Sequence, residues 1–108
     1  MIHEPTHTVY ALIRTDLALA DQIVQIGHAC WEAGRRCGAA GPAPRLVVLE
    51  VPTQPALSDA LEELRLAGIV ATAFVEPDRG LGLTAACTEP VSAPRRFLRR
   101  GRLWRPES

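Results

Sequence analysis

The pattern of hydrophobic and polar positions predicts a strand followed by a long helix in the first third of the chain. Thr8–Ile13 is an apolar run rich in β-branched residues, which is typical of a strand buried on both faces. From Ala18 to about Cys37, apolar residues recur at helical spacing, and Gly38 is placed to end that helix. Thr15 and Asp16 are the N-cap candidates, because their short side chains can accept a hydrogen bond from the first turn.

Three further strands and one further helix follow from the same pattern. Arg45–Val51 is the clearest strand, and a helix with Thr53 or Gln54 near its N-cap comes after it. Ile69–Val75 and Leu83–Thr88 are the third and fourth strands. The loop between these last two strands is too short for a crossover, so they pair antiparallel or splay apart.

The order β-α-β-α-β-β predicts one α/β domain, because strand–helix–strand units favour parallel neighbours with helices packed on the sheet. We expect a small three-layer domain with a four-stranded mixed sheet over residues 8–90. Residues 1–7 are expected to form a flexible N-terminus, and residues 91–108 an Arg-rich C-terminal tail.

Composition narrows the class of protein. Hydrophobic residues make up 47% of the chain and charged residues 22%, values that argue against disorder. No apolar run approaches the ~20 residues of a membrane span, so a cytoplasmic protein without membrane contact is expected. The three cysteines match no zinc or redox spacing, and neither a metal nor a cofactor is expected. Cys30 falls on the apolar side of the first helix, where it acts as a small hydrophobe.

Charge is unevenly distributed although the formal net charge is zero. Residues 91–108 hold six arginines and one acid, a formal charge of +5, against −5 for the other 90 residues. Arginine interleaved with Phe97 and Trp104 suits nucleic-acid phosphates and base stacking. An anionic membrane surface, or the acidic body of the protein itself, would also fit this pattern. The nucleic-acid-binding candidates are Arg95, Arg96, Arg99, Arg100 and Arg102.

A second candidate region is the loop within Phe74–Thr84, where an apolar strand ends in a carboxylate. Glu76, Asp78 and Arg79 stand beside two glycines, at the kind of strand end where open α/β sheets commonly place a site. A solvated hairpin loop, with Asp78 and Arg79 as a surface ion pair, is the alternative.

Four segments in this order resemble the type II peptidyl-tRNA hydrolases. They are Arg14-Thr-Asp-Leu17 after the first strand, Gln25-Ile-Gly-His-Ala29 on the first helix, Arg45–Val51 with the helix behind it, and the acidic loop before a Thr-bearing strand. The resemblance covers roughly residues 8–90. It implies a small α/β sheet, a homodimer, and metal-independent hydrolysis of the ester that joins a peptide to tRNA.

The resemblance also implies roles for individual residues. The family's aspartate falls on Glu76, its threonine on Thr84 or Thr88, and Gln25 and His28 match directly. Expected catalytic residues are therefore Glu76, His28 and Thr84. The expected substrate-binding residues are Gln25, Arg14, Asp78, Arg79 and Thr88.

One position departs from the family pattern. The family carries a lysine where this chain has Asp21, and the chain contains no lysine at all. A carboxylate repels the phosphate or oxyanion that an ammonium would hold, and Arg14, Arg45 or Arg79 could supply only a fixed positive charge. Two functions remain open: hydrolysis of a tRNA-linked ester, and a catalytically inactive, dimeric module that binds RNA or protein.

Overall fold

The computed structural model describes residues 7–38, 41–92 and 96–106, and of residues 96 and 97 only the backbone. In chain order the elements are β1 (Thr8–Arg14), α1 (Leu19–Cys37), β2 (Arg45–Val51), α2 (Gln54–Leu66), β3 (Ala71–Glu76), β4 (Gly82–Thr88), α3 (Arg96–Arg100) and β5 (Arg102–Leu103). A single 3-10 turn, Asp78–Gly80, lies between β3 and β4. None of the helices in these ranges is both long enough and apolar enough to span a bilayer.

The sheet is mixed, with strand order β3-β4-β1-β2-β5. β1 and β2 are parallel, while β4 is antiparallel to both β1 and β3. Strands β1, β2 and β3 therefore run in the same direction, and their carboxyl ends meet at one edge of the sheet. This edge carries the loop after Glu76.

Helices cover both faces of the sheet, which confirms the predicted three-layer α/β class. Leu57 and Leu64 of α2 are buried against one face, and Ala29 and Ala33 of α1 against the other. The strands supply both layers because alternate residues point to opposite faces: Leu12 packs with α2 and Ile13 with α1.

The expected number of strands was one too low, since the segment after residue 95 adds β5 to the edge at β2. Leu103 pairs with Leu49 and Arg102 with Glu50, both antiparallel. Leu98 of α3 is 2% exposed and belongs to the core on the α2 side. A two-residue strand with both residues exposed has no hydrophobic alternation, so the sequence pattern did not reveal it.

The helix ends agree with the sequence in two places and differ in one. Thr53 caps α2 by accepting a hydrogen bond from the amide of Ala56 at 3.2 Å, and Gly38 ends α1 in a left-handed conformation with φ of 61°. The N-cap of α1 is Ala18, so the prediction of Thr15 or Asp16 was wrong. Asp16 is instead bound to Arg14 at 2.9 Å.

Candidate functional site

The candidate site lies where the first half of α1 crosses the end of β3. Gln25 and His28 are one helical turn apart on α1. Phe74 and Glu76 are two residues apart on β3, so their side chains point to the same face of the sheet, which is the face that α1 covers. The loop that follows Glu76 brings Arg79 up to Asp21 of α1. The structure thus brings together residues that are separated by about 50 positions in the sequence.

A buried chain of hydrogen bonds holds the carboxylate of Glu76. The hydroxyl of Thr84 donates to Oε1 of Gln25 at 2.6 Å, and Nε2 of Gln25 donates to Oε1 of Glu76 at 2.9 Å. Thr84 and Gln25 are 0% and 1% exposed, whereas Glu76 is half-buried. An ionised carboxylate can only accept hydrogen bonds, so the amide must turn its nitrogen to Glu76 and its oxygen to Thr84. The three side chains therefore have one consistent arrangement.

A β-bulge aims the side chain of Thr84 at this chain. Phe74 pairs with Ala85 and Val75 with Leu83, so Thr84 is the extra residue of β4. Simple alternation would turn Thr84 away from α1, since its neighbour Ala85 packs on the α1 side. The bulge breaks that alternation, as bulges beside functional sites commonly do.

Asp21 forms a two-pronged ion pair with Arg79. The two guanidinium nitrogens lie 2.6 and 3.3 Å from the carboxylate oxygens. The hydrogen bonds from Arg79, and then its charge, lower the pKa of Asp21 below its ordinary value. The pKa of Arg79 is raised, chiefly by Asp21 and to a smaller extent by the charges of Glu76 and Asp78. Arg79 is therefore bound to Asp21, and the charges of Glu76 and Asp78 act on the same guanidinium from nearby.

His28 stacks on Phe74 at the exposed side of the site. The ring centroids are 4.6 Å apart and the planes are inclined by 6°. His28 is exposed to solvent although it stands in the middle of α1. The stack fixes the plane of the imidazole and leaves its edge accessible.

The side chain of Arg14 points into the protein and binds the main chain at the start of β4. Its side chain is 12% exposed, and Nη1 donates to the carbonyls of Leu81 and Leu83 at 2.8 and 2.9 Å. The same nitrogen donates to Oε1 of Gln54 at 3.1 Å. Expected as a substrate-binding residue, Arg14 has its donors directed to the protein itself.

Thr88 lies at the opposite end of β4 from this group. Its hydroxyl oxygen accepts a hydrogen bond from the amide of Tyr10 at 3.0 Å, in a position that is 1% exposed. Of the two threonines that the resemblance left open, Thr84 is the one next to Gln25 and Glu76.

The described part of the basic C-terminal segment packs against the body of the protein. Trp104 donates its indole N–H to Oε1 of Gln22 at 2.8 Å and is partly buried against the core beneath α1. Neither this bond nor the role of Gln22 was expected from the sequence. The one available signal was a tryptophan within an otherwise charged segment.

The arginines of this segment fall into three groups. Arg99, Arg100, Arg102 and Arg105 are exposed. Arg95 lies outside the described residues, and the side chain of Arg96 is likewise not described.

A polar groove of about 410 Å³ separates the start of α1 from β5. Its lining residues are Thr15, Leu19, Gln22, Glu50, Arg102, Arg105 and Pro106. Glu50 accepts the amide of Arg105 at 3.3 Å and lies 3.9 Å from the guanidinium of Arg102. The groove opens at the same edge of the sheet as Glu76, on the other side of α1.

Comparisons with known proteins do not identify the chain: no family model matches it, and no curated protein matches it in sequence. Within the described part of the chain, no three His, Cys, Asp or Glu residues are grouped so as to hold a metal ion. What the site offers chemically is a fixed carboxylate, a cation beside it and an accessible imidazole.

Proposed function

We propose that this protein hydrolyses an ester that links a peptide or amino acid to tRNA. The observation that carries the proposal is the hydrogen-bonded chain Thr84–Gln25–Glu76 with Arg79 beside it. A carboxylate held in one orientation next to a fixed positive charge is what ester hydrolysis requires, since a water must be activated and an oxyanion stabilised.

In this mechanism Glu76 positions a water and accepts its proton as the water attacks the ester carbonyl. Arg79 stabilises the negative charge that develops on the carbonyl oxygen. His28 donates a proton to the ribose oxygen that leaves, which is a usual role of an imidazole in catalysis. Thr84 is buried and acts through Gln25, so it is a positioning residue rather than a catalytic one.

In this proposal Arg79 supplies the positive charge that a lysine provides in the type II peptidyl-tRNA hydrolases. The resemblance places a cation where Asp21 stands, and the ion pair with Asp21 brings a guanidinium into the same neighbourhood. Arginine does not release its proton near neutral pH, so Arg79 serves as fixed charge and the proton transfers fall to Glu76 and His28.

The polar groove gives the RNA a path to the site. Arg102 and Arg105 present two guanidinium groups on one side of the first turns of α1, and Glu76 lies on the other. A single-stranded 3′ end that crosses this part of α1 would place its phosphates near the arginines and its ester near Glu76. The free thiols of the chain fit the reducing cytoplasm, where tRNA is found.

The direct test is hydrolysis of a peptidyl-tRNA by the wild type and by Glu76→Gln, under single-turnover conditions. Loss of the base should slow the reaction by about 10²-fold or more. Glu63→Gln, the same change at an exposed position of α2, is the matched control and should keep full activity. Wild-type protein that leaves the ester intact at stoichiometric concentration would refute the hydrolase.

Binding of tRNA is tested separately with Arg102→Ala/Arg105→Ala. Removing two phosphate contacts should weaken binding and reduce the slope of log K against log salt by about 1.4 to 1.8. The control is Arg45→Ala/Arg65→Ala, which removes two exposed arginines away from the groove. Equal slopes for the two double variants would show that the groove does not contact RNA.

A dimeric module that binds RNA or protein without turnover is the second candidate. The specific observation in its favour is that the face of α1 pointing away from the sheet carries large, exposed apolar side chains. Ile23 and Trp31 on this face are 57% and 72% exposed, and a helix that is apolar on both sides is usually covered on both. Dimerisation is compatible with the hydrolase as well.

A second copy of this chain fits that face because large and small residues alternate along it. Ala20, Gly27 and Gly34 are seven residues apart, and a Cβ added at Gly27 or Gly34 would meet no other atom within 4 Å. If two antiparallel α1 helices cross at Gly27, Ile23 of each copy lies opposite Trp31 of the other. The face contains no charge, so no like charges meet at the crossing.

Charge at the two ends of α1 favours the antiparallel direction. Arg35 and Arg36 are in the last turn and Asp21 is in the first. In an antiparallel pair the basic end of each helix lies near the acidic end of the other, and the helix dipoles oppose.

Trp31→Glu against Leu66→Glu tests this interface. The two side chains are 72% and 71% exposed, so the substitutions introduce the same charge at equally exposed positions on α1 and α2. We expect light scattering at micromolar concentration to give a dimer for the wild type and Leu66→Glu, and a monomer for Trp31→Glu. A monomeric wild type, or a dimeric Trp31→Glu, would overturn the proposed interface.

A further inference from the structure

The outer edge of β3 is open. β3 stands at one end of the sheet and, in the described part of the chain, pairs only with β4. The unpaired N–H and C=O groups of an edge strand are a template for pairing with another extended chain. The opposite edge differs, because β5 has only two residues and one of them is Arg102. Short, charged edge strands resist further pairing.

The hydrogen bonds to β4 show which main-chain groups of β3 face outward. The carbonyl of Val70 accepts the amide of Glu89, and the carbonyl of Phe74 lies 3.4 Å from the hydroxyl of Thr84, so both carbonyls are directed to β4. These directions alternate along an antiparallel strand, and the bulge adds its extra residue to β4 rather than to β3. The main-chain groups directed to the open edge are therefore those of Ala71, Ala73 and Val75.

No feature of β3 itself protects this edge. Natural edge strands are commonly protected by proline, by lysine, by a bulge or by short length. The six residues Ala71–Glu76 include neither proline nor lysine. Ala73 is small and exposed, so a second main chain can approach closely. Val75 is 60% exposed and offers apolar surface that an added strand would cover.

Acidic side chains stand at both ends of the open edge. Glu76 ends β3 and Asp78 follows in the 3-10 turn, while at the other end the carboxylate of Glu89 lies 3.5 Å from the amide of Val70. If a second copy paired through its own β3, with the two Ala73 residues opposite each other, Glu76 of each copy would come into line with Glu89 of the other. Two pairs of like charges would then lie roughly 10 Å apart, which is two strand spacings. Basic residues at the ends of an added peptide would instead meet carboxylates.

We propose that the open edge of β3 binds an extended peptide segment with basic residues at both ends, which adds a sixth strand to the sheet. The peptide main chain pairs with the outward groups of Ala71, Ala73 and Val75. Pairing of this kind supplies affinity whatever the peptide side chains are, and the charges at the two ends fix its position. The surface requires no reaction, so the inference does not depend on the hydrolase proposal.

Binding of a designed peptide to the full chain tests the pairing. The probe is Arg-Arg-Val-Thr-Val-Thr-Arg-Arg with blocked ends and a fluorescent label, followed by fluorescence anisotropy. Ala73→Pro removes an outward N–H without touching the ladder to β4, and should weaken binding by about tenfold or more. Ala73→Val keeps the N–H and is the matched control, expected to bind within about threefold of the wild type. Circular dichroism establishes that both variants are folded. Equal affinities for the two variants would overturn the proposal.

The charge of the probe is tested with the peptide in which all four arginines are replaced by glutamate. We expect it to bind at least about tenfold more weakly, because it brings like charges to both ends of the edge. Equal binding of the acidic and basic peptides would refute the assignment of a basic partner.

Hydrogen exchange of single amides locates the peptide. In the free protein the amides of Ala71, Ala73 and Val75 should exchange faster than those of Thr72 and Phe74, which are directed to β4. With the basic peptide at about ten times its Kd, the three outward amides should exchange about tenfold more slowly, since only the unbound fraction exchanges. Protection confined to other parts of the protein would overturn the proposal. Outward amides already protected in a dimer that Ala73→Pro dissociates would show that a second copy occupies the edge, and would also overturn it.

Discussion

Replacing Thr84 with valine tests whether a buried hydroxyl holds the site together. The substitution keeps the size and the β-branched shape but removes the donor to Gln25. The side-chain oxygen of Gln25, Oε1, then loses its 2.6 Å hydrogen bond. Because Gln25 is only 1% exposed, this oxygen cannot gain a hydrogen bond from bulk water. A buried acceptor left without its partner costs about 1–3 kcal/mol.

A double-mutant cycle with Gln25→Leu isolates the interaction. Gln25→Leu alone leaves Thr84 able to donate to the carbonyl of Phe74, which lies 3.4 Å from its hydroxyl. In the double variant neither side chain carries the unsatisfied polar atom, so the losses should not add. We expect the double variant to be at least about 1 kcal/mol more stable than the sum of the single changes predicts.

Urea denaturation at neutral pH measures these free energies, and the transition midpoint should fall with an unchanged slope. Thr88→Val serves as the comparison, since it removes a buried hydroxyl from the other end of the same strand. Thr88→Val and Gln25→Leu should be additive because they share no partner. If Thr84→Val costs less than about 0.5 kcal/mol, or is additive with Gln25→Leu, the hydrogen-bonded chain does not stabilise the site.

Three further outcomes follow from single contacts. Trp104→Phe keeps the packed ring but removes the donor to Gln22, and should lower the free energy of unfolding by about 1 kcal/mol; an unchanged melting curve would contradict this. The pKa of Asp21 in the folded state is depressed. Its ion pair therefore stabilises the fold at pH values above 3.8, the ordinary pKa of an aspartate, and this stabilisation is lost as the pH falls through the folded-state pKa. The stability difference between the wild type and Asp21→Asn should therefore be constant at neutral pH and vanish in acid, whereas a difference that persists in acid would have another cause. Gly82→Ala should cost about 1–2 kcal/mol in the free energy of unfolding, because φ is 70° and the new Cβ would lie 2.9 Å from a side-chain oxygen.

The sequence carried enough information to define the layers of the fold. Alternation and helical periodicity are local properties, so they mark which residues of each strand or helix are buried. They located β1, β2, α1 and α2, and the apolar stripes that cover both faces of the sheet. They also placed Glu76 at the end of β3, where a carboxylate after an apolar run marks a strand end.

Contacts between distant segments were decided by the tertiary structure. Asp21 and Arg79 are 58 positions apart, and their ion pair depends on where α1 crosses the sheet and how the loop after β3 turns. The choice between Thr84 and Thr88 depended on a bulge in β4, which changes the direction of one side chain without changing the residue pattern. β5 and the contact of Trp104 with Gln22 likewise arise from packing on elements formed far earlier in the chain. Periodicity specifies the face that a residue occupies within its own element, but the partner it meets there is set by the register and crossing of the elements.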